Sequence, residues 1–141
     1  MQVAFEPQNR FFHGLNPSKH FAILRDEKGN IETDPRKRFR VSSATFKYKR
    51  IDKRKWESSV DSERVISLEG ERKRTSDRFP GYGIAAVTFA SISEVKAEVE
   101  LKPEEGNEAH CALYATETQI DDLVKPNHLI IIDWPTGAIR A

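Results

Sequence analysis

The chain has 141 residues, of which 38% are hydrophobic and 32% are charged, with a formal net charge of +1. This composition is typical of a soluble globular protein with a charge-rich surface, and the length predicts one folded domain spanning residues 1–141. No apolar run approaches the ~18 residues that cross a membrane, and Met1–Phe12 lacks the layout of a signal peptide. Because the single Cys111 cannot form an internal disulfide, we expect a cytoplasmic protein in a reducing compartment.

The first third of the chain predicts short β-structure joined by loops. Asn9–His20 contains glycine, asparagine and proline, which is typical of a loop. Phe21–Arg25 is a short apolar strand candidate. A turn around Gly29 follows, and Ile31 begins a return, so we expect a β-hairpin here.

A strongly basic segment comes next. Ten of the twenty residues from Arg36 to Lys55 are Lys or Arg, and the one acidic residue among them is Asp52. Arg38–Ile51 nearly alternates polar residues with β-branched and aromatic ones, which favours one long strand. The apolar residues change parity near Ala44, as a β-bulge would cause. Lys53–Glu63 is polar and predicts a loop or a short helix.

The middle of the chain mixes apolar runs with turn residues. Arg64–Leu68 predicts a strand, and Glu69–Tyr82 predicts a loop because glycine and proline punctuate it. Gly83–Phe89 is a continuous apolar run that indicates a buried strand. Ser91 followed three residues later by Glu94 forms a capping box, so a short helix should begin there.

The last third is the most regular. Strands are expected at Val99–Leu101, Ala109–Ala115 and His128–Asp133, and Thr116 is expected to cap a short helix. The whole pattern predicts an α+β fold with an N-terminal hairpin and long basic strand. Its sheet should be mixed or antiparallel, with two short helices in the C-terminal half.

The basic segment predicts contact with RNA or single-stranded DNA. Cations attract the phosphate backbone, and aromatic rings stack on exposed bases. Four aromatic residues lie in or beside the segment, namely Phe39, Phe46, Tyr48 and Trp56. We expect Tyr48 to stack on a base and the following cations to bind phosphates: Arg38, Arg40, Lys47, Lys49, Arg50, Lys53 and Arg54. A small bacterial-type module of a toxin or defence system would fit this pattern.

Other interpretations of the same charges remain open. The basic face could bind an acidic protein partner, which would make the chain a non-catalytic adaptor. It could also protect a sheet edge from aggregation. The acidic stretch Glu94–Asp122, with nine carboxylates against two lysines, could pack against the basic segment and neutralise it.

Histidines offer an enzymatic alternative. His13 and His110, if brought together, could act as the general acid and base of a ribonuclease-like enzyme, because imidazole titrates near neutral pH. Arg40, Lys49 or Arg64 could then hold the phosphate. No Cys-x-x-Cys or His-x-x-x-His spacing occurs, so we expect no metal and no cofactor.

The order of several motifs resembles that of small bacterial proteins with a His-Pro, a Ser-x-x-Phe, a Gly-x-x-Ala-Val-Thr strand and a late His. Here the later elements are Ser43–Phe46, Ile84–Thr88 and His110. The first element departs from the pattern, because glycine and not proline follows His13. The resemblance implies no activity, but it adds Ser43 to His13 and His110 as candidates for one polar site.

Overall fold

The computed structural model of the protein describes residues 5–25, 27–30, 39–137 and 139. Within these ranges there are nine β-strands, three α-helices and one 3-10 helix. The strands are β1 Arg10–Leu15, β2 Phe21–Ile23, β3 Phe39–Val41, β4 Lys49–Arg50, β5 Lys55–Ser62, β6 Gly83–Thr88, β7 Glu98–Leu101, β8 His110–Thr116 and β9 Leu129–Asp133. The α-helices are α1 Leu68–Arg78, α2 Phe89–Glu94 and α3 Glu117–Leu123, and the 3-10 helix is Ser43–Phe46.

Antiparallel pairing organises all of these strands. Seven form one sheet in the order β7-β8-β5-β1-β6-β9, and β4 pairs with β5 beyond the end of β1. β2 and β3 form a separate two-stranded sheet. The predicted α+β class, with an antiparallel sheet and two short C-terminal helices, is confirmed. In the described part of the chain, no helix has the length and apolar character needed to cross a membrane.

The large sheet has two differently covered faces, because successive side chains of a strand point to opposite sides. The core face carries the main apolar cluster, packed with residues of α2, α3 and the 3-10 helix: Phe11, Leu15, Phe46, Val60, Ile92, Cys111, Leu113, Ile120 and Leu123. The α1 face carries a smaller cluster of Phe12, Ile84 and Ala86, against which Leu68 of α1 packs. Full burial of each large side chain stabilises the fold by ~1.5–3 kcal/mol.

The predicted loop at Asn9–His20 is wrong in its first half, which forms β1 at the centre of the sheet. Phe11, Phe12 and Leu15 are all fully buried, so this strand supplies apolar side chains to both faces. The turn-forming asparagine and proline come after Leu15, so they end the strand and do not prevent it from forming.

The predicted continuous strand at Arg38–Ile51 is divided. Ser42 ends β3, because its side-chain oxygen accepts a hydrogen bond from the Ala44 backbone N–H at 3.2 Å and caps the 3-10 helix. The helix buries Phe46 in the core, and the chain then passes from the small sheet of β3 to the large sheet at β4. Arg38 and the predicted hairpin return from Ile31 lie outside the described residues.

Two further predictions in the middle of the chain are wrong. Lys53–Glu63, expected as a loop or short helix, contains β5, which lies between β8 and β1. Arg64–Leu68 and Glu69–Tyr82, expected as a strand and a loop, contribute instead to the turn before α1 and to α1 itself. The Ser67 side chain caps α1 by accepting the Gly70 N–H at 3.1 Å.

The C-terminal predictions are confirmed apart from one cap. The strands β6, β7, β8 and β9 and the helix α3 form at the expected places, with Thr116 and Gln119 completing a capping box at α3. The short helix α2 begins three residues earlier than its predicted start, because Thr88 and not Ser91 is its N-cap.

Candidate nucleic-acid interface and the polar clusters of the sheet

The strands β4 and β5 form a hairpin that carries most of the predicted phosphate-binding residues. Lys49 pairs with Glu57 and Arg50 with Trp56. The turn between them closes where the backbone N–H groups of Ile51 and Asp52 both donate to the Lys55 carbonyl, at 3.0 and 3.3 Å. We call residues 48–55 the basic hairpin.

Among the four aromatic residues of the basic segment, Tyr48 alone projects into solvent. Its side chain is 81% exposed, whereas Phe46 is 1% exposed. Phe39 and Trp56 are partly buried and pack against the main cluster. Base stacking on this segment therefore depends on Tyr48.

The basic hairpin carries four exposed cations as well as Tyr48: Lys49, Arg50, Lys53 and Arg54. The strand pairing places Lys49 and Arg50 on opposite faces. Arg50 donates to the backbone carbonyls of Asp52 and Lys53, at 3.1 and 2.5 Å, so it shapes the turn and keeps its charge. The Asp52 carboxylate accepts the Lys53 backbone N–H. Within the described ranges, none of the four cationic groups forms an ion pair with a carboxylate.

The other predicted phosphate-binding residues are placed differently. Lys47 donates to Glu117 at 2.9 Å, and this contact lowers the pKa of the Glu117 carboxyl. Glu117 of the acidic stretch therefore neutralises Lys47, and it also lies against the turn of the hairpin, where its backbone N–H donates to the Arg54 carbonyl at 3.3 Å. Arg40 is exposed on β3, in the smaller sheet.

His13 lies on the core face, where β1 and β5 separate. Its Nδ1 is 2.7 Å from the Ser59 backbone oxygen, which can only accept, so Nδ1 carries the proton. Its Nε2 is buried without a partner of hydrogen-bonding geometry among the described residues. Burial lowers the pKa of His13, and burial together with the neighbouring His13 lowers the pKa of His20 to about 4. Both rings are therefore neutral at pH 7.

His110 lies on the α1 face. It is the pairing partner of Asp61, and its Nε2 is 3.0 Å from the Ser59 hydroxyl oxygen. The sheet therefore stands between His13 and His110, and the structure does not bring the proposed acid–base pair together. Ser43 opens the 3-10 helix whose Phe46 ring lies 5.0 Å from the His13 ring, so it belongs to the core-face side.

Beneath α1 lies a buried carboxyl pair, Asp61 and Glu71, that no sequence motif indicates. Asp61 accepts hydrogen bonds from Arg74 Nη1 at 2.6 Å and from Asn107 Nδ2 at 2.8 Å. Glu71 is 3% exposed; burial, followed by its hydrogen bond to Asp61, raises its pKa to about 8. Burial therefore favours the neutral form of Glu71 at pH 7 beside the Asp61 carboxylate, and Glu71 Oε2 has no hydrogen-bond partner among the described residues.

Neither Cys111 nor a group of metal-ligating side chains forms a further candidate site in the described part of the chain. Burial raises the pKa of the Cys111 thiol to about 12, so it is not a thiolate nucleophile at neutral pH. In the described ranges, no three His, Cys, Asp or Glu side chains are grouped so that they could hold a metal ion. No protein-family model, curated protein or solved structure matches the chain.

Proposed function

We propose that this protein is a small cytoplasmic module that binds single-stranded RNA or DNA through the basic hairpin. The observation that carries the proposal is Tyr48, which is 81% exposed on a hairpin that also carries four exposed cations. Since these cations are not paired with carboxylates of the described residues, their charge is available to phosphates. An exposed aromatic ring within such a field is the combination that single-stranded binding requires.

The two components of the surface have different physical roles. Each phosphate neutralised on a single strand contributes a slope of about −0.7 to the dependence of log affinity on log salt. Four contacts therefore predict a slope of about −3, whatever the sequence of the strand. Stacking on Tyr48 adds ~1–3 kcal/mol for one base and does not depend on salt in this way.

The ring of Tyr48 should distinguish this function from simple charge attraction. We expect Tyr48→Ala to weaken binding of a twelve-nucleotide single strand about tenfold, and Tyr48→Phe to retain wild-type affinity, because stacking needs the ring and not the hydroxyl. Fluorescence anisotropy of a labelled strand at 50 mM salt measures both. Phe79→Ala, at an aromatic residue that is 47% exposed outside the hairpin, is the matched control.

An acidic protein partner is the competing outcome of the same experiment. If Tyr48→Ala binds as tightly as the wild type, and poly-glutamate displaces the strand at equal charge concentration, the hairpin recognises negative charge alone. Preference for a duplex over the single strand would also contradict stacking, since duplex bases are not available to the ring.

A further inference from the structure

The Ser59 hydroxyl and the His110 imidazole form a hydrogen-bonded pair on the α1 face, away from the basic hairpin. Ser59 Oγ lies 3.0 Å from His110 Nε2. His110 Nδ1 lies 2.7 Å from the Lys102 backbone oxygen. Ser59 is exposed, so its hydroxyl can be reached from solvent.

These contacts fix the tautomer of the imidazole. A carbonyl oxygen only accepts, so the proton must be on Nδ1, and Nε2 is left with a free electron pair. Nε2 therefore accepts the hydroxyl proton of Ser59. A nucleophile bound to a base, with the base oriented by a third group, is the arrangement that activates serine in acyl transfer.

A carboxylate beside the pair can stabilise the charge that develops during a reaction. Glu104 Oε1 is 3.5 Å from His110 Nε2, where it would stabilise an imidazolium. The Lys102 side chain is held elsewhere, with its Nζ 3.3 Å from the Tyr114 hydroxyl and 4.0 Å from Glu57 Oε1.

The charge of the same face indicates the class of substrate. Glu57 and Asp61 flank Ser59 two residues away on the same strand face, and Glu104 lies against His110. Glu57 lies 4.0 Å from Lys102 Nζ and Asp61 lies 2.6 Å from Arg74 Nη1, so these two carboxylates are paired with cations. The face therefore has no excess of positive charge that would attract a polyanion such as nucleic acid, and it fits an uncharged ester.

We propose that Ser59 is a nucleophile activated by His110 and that it reacts with uncharged carboxylic esters. Ser59 Oγ attacks the carbonyl carbon while its proton passes to His110 Nε2. The tetrahedral intermediate expels the alcohol, which takes the proton from His110, and an acyl–serine ester remains. Water, deprotonated by the same Nε2, then attacks this ester, releases the carboxylic acid and returns the proton to Ser59.

A fluorophosphonate reagent, which phosphonylates activated serines, tests this proposal. We expect the full-length protein to gain one adduct, located on Ser59 by peptide mass spectrometry. Ser59→Ala should remove the adduct, and His110→Ala should slow its formation at least about 100-fold, the smaller end of general-base contributions. Ser76→Ala, at an exposed serine of α1, should label like the wild type.

Imidazole added to the His110→Ala variant distinguishes a variant that has lost only its general base from one that has lost its fold. It should restore a measurable part of the labelling rate in His110→Ala, since a free base can occupy the vacated space. Absence of an adduct in the wild type, an adduct on another serine, or labelling of Ser59 that is unchanged in His110→Ala would each overturn the proposal. Failure of imidazole to restore labelling in a His110→Ala protein with a wild-type circular dichroism spectrum would also count against it.

Discussion

Replacing Glu71 with Gln is expected to stabilise the protein, by an amount that grows as the pH rises from about 4.5 to about 8. Glu71 of α1 is buried against Asp61 of β5, and burial with this hydrogen bond raises its pKa to about 8. A glutamine amide can donate to the Asp61 carboxylate as the protonated acid does. The amide keeps its N–H donors at every pH, whereas the Glu71 carboxyl donates only while it is protonated.

The direction of this pH dependence follows from the number of protons that Glu71 binds in the folded and in the unfolded chain. The unfolded chain releases the Glu71 proton near pH 4.5, whereas the folded chain keeps it up to about pH 8. Between these values the folded state binds more protons, so the stability contributed by Glu71 falls as the pH rises and is lost above pH 8. Glutamine does not titrate, so its contribution stays constant.

Urea unfolding between pH 4 and pH 9 measures this difference. We expect Glu71→Gln and the wild type to be equally stable near pH 4, and the variant to be more stable by about 2–4 kcal/mol at pH 9. Glu105→Gln, at an exposed loop position, is the matched control and should show no growing difference. A Glu71→Gln difference that stays constant across this range would show that Glu71 is ionised in the folded protein.

Replacing Gly83 with Ala should disrupt the junction of β6 and β9. A Cβ at Gly83 would lie 2.3 Å from the Asp133 backbone oxygen and 2.8 Å from the Pro135 nitrogen. Both are main-chain atoms, so relief requires the end of β9 to move away from the sheet. We expect a loss of about 3 kcal/mol or more, at the upper end of the cost of overpacking.

Gly14 supplies the control for this prediction. A Cβ there would meet the Tyr82 side chain at 3.3 Å, and a side chain can move where backbone cannot. Gly14→Ala should therefore cost less than about 1 kcal/mol, measured by the same urea unfolding. Equal losses in the two variants would contradict the close approach of β9 to Gly83.

The C-terminal half was predictable because its signals are local. The capping box at Thr116 and the apolar runs of β6 and β9 need no knowledge of the rest of the chain. The helix α1 gives no such signal, since the residues it buries are Glu71 and Thr75, so no apolar stripe marks its inner face. The strand β5 also lacks a local signal, because its serines and charged residues do not form the apolar pattern expected of a central strand.

The candidate sites depend even more on tertiary structure. The sequence showed how many cations lie near Tyr48 along the chain, but it did not show that the Tyr48 side chain is exposed. The 3-10 helix interrupts the alternation of the strand, so the alternation could not predict which way Tyr48 points. To predict that His13 and His110 lie on opposite faces, one must know which residues of β1 and β8 point to each face of the shared sheet. Asp61 and Glu71 meet only once α1 packs on β5, so neither residue alone indicates a buried carboxyl pair.

The most direct test of the basic hairpin as a nucleic-acid surface is the salt dependence of single-strand binding. We expect log affinity to fall with log salt at a slope of about −3. A variant with glutamine at Lys49, Arg50, Lys53 and Arg54 should lose most of that slope. A control with glutamine at four exposed cations elsewhere, Lys19, Lys73, Arg78 and Lys125, should keep it. A flat salt dependence in the wild type, or an equal loss in both variants, would contradict binding through the hairpin.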